Sequence, residues 1–150
     1  MAFDIKSTLQ AIENQLLTSA YFAHVQVGEP KAPPPGPFAV SVFMQDVGVV
    51  SLTLSGTIER HSVLIRIYRR IFEDTESNIE LEMAALVSRV MSDLAGEFDL
   101  GATIRNVDLG GQHGAPLSAR FGYVDVGGTM YRVGDISVGL IVDDSGTQAP

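Results

Sequence analysis

The sequence predicts a single α+β domain in which two helices pack on a largely antiparallel β-sheet. Two stretches place apolar residues at helical spacing, and the runs between and after them alternate with a period of two. Gly127-Gly128 separates two such runs and favours a tight hairpin, because glycine tolerates the positive φ angles of that turn. The order along the chain is therefore a helix, several strands, a second helix and several more strands.

The composition is that of one compact domain. A chain of 150 residues can bury about 70% of the surface that its unfolded form exposes. It contains no cysteine, so disulfides and thiolate metal sites are excluded. We assign residues 1–142 to the domain and residues 143–150 to a disordered C-terminal tail. The opening MAFDIKSTLQ has no signal-peptide pattern, and no apolar run reaches the roughly 20 residues that cross a bilayer, so we expect no membrane partner.

The negative charge is concentrated in one segment. The formal net charge is −8, and residues 73–99 contain eight acidic residues and one basic residue, Arg89, which is a net −7. Binding to nucleic acid depends on clustered Lys and Arg. We therefore expect no broad affinity for nucleic acid.

The first elements are a helix, a short strand and a loop. The helix is predicted from Asp4, a suitable N-cap, to Ser19. Its apolar face consists of Ile5, Leu9, Ile12 and Leu16. The segment YFAHVQVGEP then reads as a short strand, and KAPPPGP as a semi-rigid exposed loop, because proline lacks an amide donor. This loop is either an ordinary connector or an arm that reaches a neighbouring subunit.

Alternating runs follow from Phe38 onward. FAVSVFMQ alternates to Gln45, Asp46-Val47-Gly48 interrupts it, and VVSLTLSGTIER is predicted as one or two further strands. In HSVLIRIYRRIF, the core face consists of Val63, Ile65 and Ile67. The opposite face places Tyr68 between Arg66 and Arg70.

The second helix is predicted to begin between Thr75 and Ser77 and to end at Gly96. Ser77-x-x-Glu80 has the spacing of a capping box, and glycine is common just after a helix. One stripe is apolar and wide enough to lie on a sheet: Ile79, Met83, Leu86, Val87, Val90 and Leu94. The opposite side is small and nearly uncharged: Leu81, Ala84, Ala85, Ser88, Ser92 and Ala95. These residues are either tolerated at an exposed surface or packed closely on another subunit.

The C-terminal third is predicted to consist of strands and turns. ATIRNVDL is predicted as a strand and GGQHGAP as a flexible loop. LSARFGYVDV and TMYRV form the hairpin, with Val126 opposite Thr129 and Tyr123 opposite Arg132, a potential cation–π pair. After Gly134-Asp135, ISVGLIV forms the last strand.

No common catalytic or nucleotide-binding motif occurs. The chain lacks the phosphate-loop, dinucleotide-binding, H-E-x-x-H and G-x-S-x-G patterns. His24, His61 and His113 lie far apart and lack metal-ligand spacing, and the adjacent Asp143 and Asp144 are expected to be solvated. We therefore predict no catalytic residue, no cofactor and no metal site, and a protein that is not an enzyme.

Four phrases occur in a fixed order along almost the whole chain: FDIKSTLQAIE, GEPKAPPP, VLIRIYRRIF and FDLGATIRNVDLGGQHGAPLSARFGYVDVGGTMYRVGDISVGLIV. Together they resemble the tail-terminator proteins of long-tailed (siphovirus-type) bacteriophages, most densely over residues 97–142. The resemblance implies a virion protein that forms a hexameric ring on the head-proximal end of the tail tube. Such a ring ends tube polymerisation, binds the head-completion (stopper) protein and lets genomic DNA pass, and its subunits are in the host cytoplasm during assembly.

A closed ring uses heterologous contacts, so each subunit needs two different mating surfaces. Opposite charge on the two surfaces would favour head-to-tail docking. The residues that we predict at the subunit interface are Arg66, Tyr68, Arg69, Arg70, Leu81, Ala85, Ser88 and Ser92. Those that we predict on an acidic lumen or docking face are Glu73, Asp74, Glu76, Glu80 and Glu82.

Other functions remain open on the sequence. Head–tail joining proteins and tail-tube subunits also build rings, and a small cytosolic ligand-binding domain or enzyme belongs to a different class altogether. A phosphate site at Arg66, Arg69 and Arg70 is a further interpretation of the densest basic group. An enzyme would need a cavity in which acids or histidines converge.

Overall fold

The computed structural model describes residues 4–34, 38–52, 54, 56–96 and 106–144. Within them lie two helices and six strands, which confirms the α+β class. The helices are α1 (Ile5–Ser19) and α2 (Glu76–Gly96). The strands are β1 (His24–Val27), β2 (Ala39–Leu52), β3 (Thr57–Arg70), β4 (Asn106–Val107), β5 (Ser118–Val126) and β6 (Thr129–Asp144).

The six strands form one mixed sheet in the order β1-β2-β3-β6-β4, with β5 also beside β6. β1 runs parallel to β2, and the other neighbouring pairs are antiparallel. β5 and β4 share one edge of β6: β5 pairs along Thr129 to Ser137, and β4 pairs at Leu140 and Ile141. The predicted largely antiparallel sheet is therefore confirmed.

β3 is the central strand. All of its 14 residues pair with β6, and its residues from Thr57 to Tyr68 pair with β2, in which two bulges lie. Most of its side chains are buried, whichever face of the sheet they lie on. Such a strand needs cover on both faces, because neither face presents a continuous polar surface to water.

Both helices cover one face of the sheet and enclose the main core. β3 contributes Val63, Ile65 and Ile67 to this core, as predicted. The predicted apolar stripe of α2 is buried along its whole length. Burying one such aliphatic side chain contributes about 1.5–3 kcal/mol, so this layer supplies the main driving force for folding.

The ends of the helices follow local capping rules. The carboxylate of Asp4 accepts a hydrogen bond from the amide of Ser7 at 3.2 Å, which confirms the predicted N-cap of α1. At α2, the hydroxyl of Thr75 accepts from the amide of Asn78 at 3.3 Å. The capping box at Ser77 is therefore wrong: Ser77 lies inside the first turn, and Thr75 provides the cap.

A second, smaller cluster lies on the opposite face, near the end of the sheet where β2 starts and β3 ends. It contains Ala39, Tyr68, Val126, Tyr131 and Val133. The proline loop packs beside it, since a Cβ at Gly127 would lie 2.9 Å from Cδ of Pro33. Pro34 is buried, so the loop is less exposed than predicted. Residues 35–37 lie outside the described part, and the choice between a connector and an arm stays open.

Two predicted breaks in the strands are wrong. β2 continues through Asp46-Val47-Gly48, with bulges between Met44 and Asp46 and between Val49 and Ser51. A bulge absorbs an extra residue while the pairing to β3 continues on either side.

β6 likewise continues through Gly134-Asp135 as one 16-residue strand. Gly134 is required there by packing rather than by a turn, since a Cβ at this position would lie 2.7 Å from Cγ2 of Val87 on α2. Asp143 and Asp144 pair with β3, so the strand extends two residues beyond the predicted boundary at 142. Residues 145–150 lie outside the described part, as do residues 102–105 of the strand predicted over ATIRNVDL.

The hairpin register is confirmed. Val126 pairs with Thr129 and Tyr123 pairs with Arg132. Gly127 and Gly128 have φ angles of 58° and 87°, which are the left-handed values that this turn requires. In the described part of the chain, neither helix is long and apolar enough to span a membrane.

The close approach of α2 to Gly134 gives a first prediction. Gly134→Ala should lower the free energy of unfolding by about 1–3 kcal/mol, because the new methyl group overpacks the core against Val87. Urea denaturation followed by circular dichroism measures this change.

The matched control is Gly122→Ala on the neighbouring strand, where a Cβ meets no atom within 4 Å. Gly122→Ala should destabilise the protein by less than Gly134→Ala. Equal effects of the two substitutions would contradict the close packing of α2 on Gly134.

Candidate subunit interface

The C-terminal end of β3 presents Arg69 to the helix side of the sheet. Its guanidinium lies 3.3 Å from Glu73, 3.6 Å from Asp74 and 3.6 Å from Glu82. It also lies over the ring of Phe38, at 5.3 Å from the centroid. The side chain is buried, and its Nε makes no hydrogen bond within the described residues. Arg69 is therefore enclosed by carboxylates of its own chain.

Arg70 is held in the same region by three partners. Its guanidinium donates to Glu73 at 3.2 Å, to the hydroxyl of Tyr131 at 3.3 Å and to the carbonyl of Pro34 at 3.3 Å. The contact with Tyr131, followed by the attraction of Glu73, raises the pKa of Arg70. Arg70 thus fastens the proline loop to the end of the sheet.

Arg66 and Tyr68 lie on the other face of the sheet. Arg66 donates two hydrogen bonds to Asp135 on β6, at 2.7 Å and 2.9 Å, and this bidentate pair raises the pKa of Arg66. Tyr68 is buried, its hydroxyl lies 3.0 Å from that of Ser41, and its ring packs edge-on against Tyr131. The face on which we placed Tyr68 between Arg66 and Arg70 is therefore closed at Tyr68, because the second cluster encloses this residue.

Arg132 on β6 completes the group of intrachain pairs. It donates to both carboxylate oxygens of Glu80 at 3.0 Å, which raises the pKa of Arg132. Its guanidinium lies 4.7 Å from the ring centroid of Tyr123, which confirms the predicted cation–π pair. Arg132 therefore links the first turns of α2 to the β5–β6 hairpin.

These pairs change the electrostatic argument for the interface. Arg69, Arg70 and Arg132 lie against four of the five carboxylates that we assigned to an acidic face: Glu73, Asp74, Glu80 and Glu82. For Glu76, the described residues provide no ion pair. The surface is consequently less negative than the count along the chain indicates, and the arginines are not free to dock an acidic face of another subunit. Contact of these residues with another subunit stays a prediction.

The small-residue side of α2 is exposed. Leu81, Ala85, Ser88 and Ser92 all face outward, and no other element of the described chain covers them. Leu81 exposes 70% of its surface. This side of the helix is therefore available to a second molecule, and its assignment to the interface stays a prediction.

A buried polar chain joins α1 to β3. The hydroxyl of Thr8 lies 2.7 Å from Nδ1 of His61, whose Nε2 lies 2.7 Å from Glu59. Thr57 donates to the second carboxylate oxygen of Glu59 at 3.0 Å. A hydroxyl, an imidazole and a carboxylate in this order also occur in hydrolase triads. Here all four residues are at most 1% exposed, so the chain fixes α1 on the sheet by satisfying buried polar groups.

Arg60 binds the loop between β4 and β5 and holds it against the face of the sheet that lies opposite the two helices. Its guanidinium donates to Asp108 at 3.1 Å and to the carbonyl of Ala115 at 2.6 Å, and it contacts the backbone of Gly114 and Gly139 closely. A Cβ at either glycine would collide with the guanidinium. The prediction of a flexible loop over GGQHGAP is therefore wrong, since this segment is tied down by a buried ion pair.

The loop acids are each held within the fold, although Asp108 and His113 both line one pocket of about 260 Å³. Asp108 binds Arg60, Asp125 accepts from the amide of Gly128 in the hairpin turn, and Asp135 binds Arg66. In the described ranges, no three of the acidic and histidine side chains are placed to hold a metal ion.

The sequence reading missed the partners of Arg60, Arg66 and Arg132. It also missed Glu59 and His61, although a signal was present. Glu59 and His61 are an even number of positions from the core residues of β3 and so lie on the same face of the strand. They interrupt this apolar face at two successive positions. Polar residues on a core face indicate a buried hydrogen-bond network.

Comparisons with known proteins add a structural likeness. No protein-family model matches the chain, and no curated protein matches it. Among solved structures, the chain is similar to the sheath/tube terminator of an extracellular contractile injection system (PVC) in the extended state. The sequence identity is 14% and the TM-score is 0.44, over 100% of this chain and 62% of that chain.

The ion pair between Arg60 and Asp108 gives a pH-dependent prediction. Burial acts to raise the pKa of Asp108, but hydrogen bonds from the amides of His113 and Gln112 and from Arg60 outweigh it and lower that pKa below its ordinary 3.8. Because this pKa is lower in the folded state than in the unfolded state, the ionised carboxylate stabilises the protein above about pH 3.8. This stabilisation is lost as the pH falls through the pKa that Asp108 has in the folded protein.

Asp108→Asn should therefore lower the free energy of unfolding at neutral pH by about 1.5–3 kcal/mol, the usual value of a hydrogen bond to a charged group. The difference from the wild type should narrow as the pH falls below about 3.8, which urea titrations at several pH values measure. Asp143→Asn, at an exposed carboxylate on β6, should change the stability by about 0.5 kcal/mol or less. A difference for Asp108→Asn that stays constant with pH would contradict this account.

Proposed function

We propose that this chain is a tail-terminator subunit of a long-tailed bacteriophage. In this proposal, copies of the chain form a closed hexameric ring on the head-proximal end of the tail tube. The ring ends tube polymerisation and provides the surface to which the head-completion (stopper) protein binds. The protein performs no catalytic step, binds no cofactor and belongs to the virion after its assembly in the host cytoplasm.

Two independent observations support the proposal. The ordered phrases described above resemble the tail-terminator family over almost the whole chain. The observation that carries it in the structure is the exposed, uncharged side of α2 with Leu81, Ala85, Ser88 and Ser92. Small side chains allow the backbone of another molecule to approach closely, and this row carries no charge although the chain has a net charge of −8.

Passage of DNA through the ring fits the charge of the chain. A net charge of −8 repels phosphate and disfavours adhesion of DNA to the ring. Arg69, Arg70 and Arg132 reduce the negative charge near the start of α2. An acidic lumen would therefore need carboxylates from other parts of the chain as well. Glu76 is the carboxylate of this group with no ion pair in the described chain.

Negative-stain images of the purified protein, with and without tail tubes, test the proposed function. Single closed rings, or caps on tube ends, are expected of a terminator. Long filaments would instead indicate a tail-tube subunit, because tube proteins stack ring on ring. A protein that stays monomeric in both preparations would contradict the proposal.

The exposed side of α2 gives a prediction on assembly. Ala85→Arg and Ser88→Arg should each abolish ring formation while the monomer stays folded, since a long cationic side chain prevents close packing at a small-residue contact. Size-exclusion chromatography with light scattering measures the assembly, and circular dichroism measures the fold.

Gln10→Arg provides the matched control, because it adds the same side chain to an exposed position on α1. It should leave assembly unchanged. If rings form with both α2 variants, the small-residue side faces solvent in the assembled ring.

A further inference from the structure

The free end of the β2–β3 hairpin is an exposed apolar surface. Leu52 is 76% exposed, Leu54 is fully exposed and Val49 is about half exposed. β1 pairs with only the first four residues of β2, so within the described ranges the rest of β2 has a partner strand on one side only. Residues 47–58 contain no charged residue. An exposed strand edge that is apolar and uncharged is prone to associate unless something covers it.

A cleft lies at the opposite end of β3. It measures about 460 Å³, and its apolar lining comes from Ile71, Phe72, Ile79 and Tyr123. Phe72 is 87% exposed and Tyr123 is 65% exposed, so two aromatic rings lack cover in the isolated chain. Clefts of about 300–1,000 Å³ with apolar lining are typical of binding sites.

The wall of this cleft is held in place before anything binds. Arg132 is fixed by two hydrogen bonds to Glu80 and by stacking against Tyr123. Binding to a surface that is already ordered costs less conformational entropy than binding to a mobile one. The cleft is therefore ordered before a partner binds, and its lining combines four apolar or aromatic residues with Glu76, Ser77, Glu80 and Arg132.

We propose that the hairpin end of one copy, through Leu52 and Leu54, occupies the cleft of the next copy. The proposal rests on the proposed ring and names a contact through which its subunits meet. The two surfaces lie at opposite ends of the 14-residue β3, whose extended length is about 43 Å at 3.3 Å per residue, so a chain cannot fill its own cleft. A contact between two different surfaces of identical chains is heterologous and closes into a ring when the rotation permits.

Charge favours this occupant. The rim of the cleft carries Glu80, which is paired with Arg132, and Glu76, for which the described residues provide no ion pair, so an acidic surface would meet Glu76 with like charge. The hairpin end brings no carboxylate, so its approach costs no repulsion.

The cleft is also continuous with the small-residue side of α2. Ser77 lines the cleft and precedes Leu81 by four residues, which places both on one side of the helix. Leu81 is followed on that side by Ala85 and Ser88. One neighbouring copy can therefore cover the cleft and the exposed helix together.

Cysteine cross-linking tests the contact directly, because the wild-type chain contains no cysteine. Leu54→Cys and Phe72→Cys are made singly and together at exposed positions, and assembled samples are oxidised and run on a denaturing gel. The double variant should give a ladder of covalent oligomers. A mixture of the two single variants should give covalent dimers, and each single variant alone should remain monomeric on the gel.

An assembly variant provides a second measurement. Leu54→Asp should abolish ring formation with the fold intact, because the new carboxylate would be buried against Phe72 and Tyr123 and beside Glu76, which has no ion pair in the described chain. Leu17→Asp is the matched control, since it places the same change at another exposed leucine, on α1. Leu17→Asp should form rings like the wild type.

The outcomes separate the contact from the proposed function. Suppose that the wild type forms rings, that the double variant gives no ladder and that Leu54→Asp assembles normally. The proposed contact between hairpin and cleft is then wrong, whereas the proposed ring is supported. If the double variant is cross-linked to a cysteine introduced into the tube protein instead, the occupant is the tube and the contact between copies is wrong. If the wild type forms no ring with or without tubes, the proposed function fails, and the contact fails with it.

Discussion

The pairing of β3 on both sides, together with its burial on both faces, is the constraint on which the rest of the fold depends. A strand of 14 residues in the centre of the sheet removes a long row of backbone groups from water, and its side chains need cover on each face. The two helices provide that cover on one face. The second cluster and the loop held by Arg60 provide it on the other. The loop between β4 and β5 and the β5–β6 hairpin therefore do more than connect strands, because they also cover one face of β3.

The same constraint explains the polar residues inside the molecule. β3 carries Glu59, Arg60, His61 and Arg66, and each of these finds a partner on another element or on β3 itself. An unsatisfied buried polar group costs about 1–3 kcal/mol, so each pair is required once the strand is buried. These pairs also fix positions: the contact of Thr8 with His61 fixes α1, and that of Asp108 with Arg60 fixes the loop between β4 and β5.

The exposed apolar surfaces of the described chain carry few charges, and this bears on function. The arginines of β3 and β6 are paired within the chain, whereas no other part of the described chain covers the side of α2 with Leu81, the hairpin end with Leu54 or the cleft with Phe72. Contacts between subunits of the proposed ring would therefore depend on apolar packing and shape. The charged residues near the start of α2 act mainly to order the surface that another copy would meet.

The sequence by itself determined the helices, the core residues of β3, the α2 stripe and the hairpin register at Gly127-Gly128. These features follow from local periodicity and turn chemistry, which a short stretch of chain contains in full. Only the tertiary structure decided that β2 and β6 continue through the segments predicted as breaks. Pairing with β3 keeps both strands extended, and Gly134 of β6 leaves the space into which α2 packs. It also decided the electrostatics of the candidate interface. The carboxylates of α2 are close in sequence, but Arg69 and Arg132 reach them from two different strands, and the charge of a surface depends on distances in space that a count along the chain does not contain.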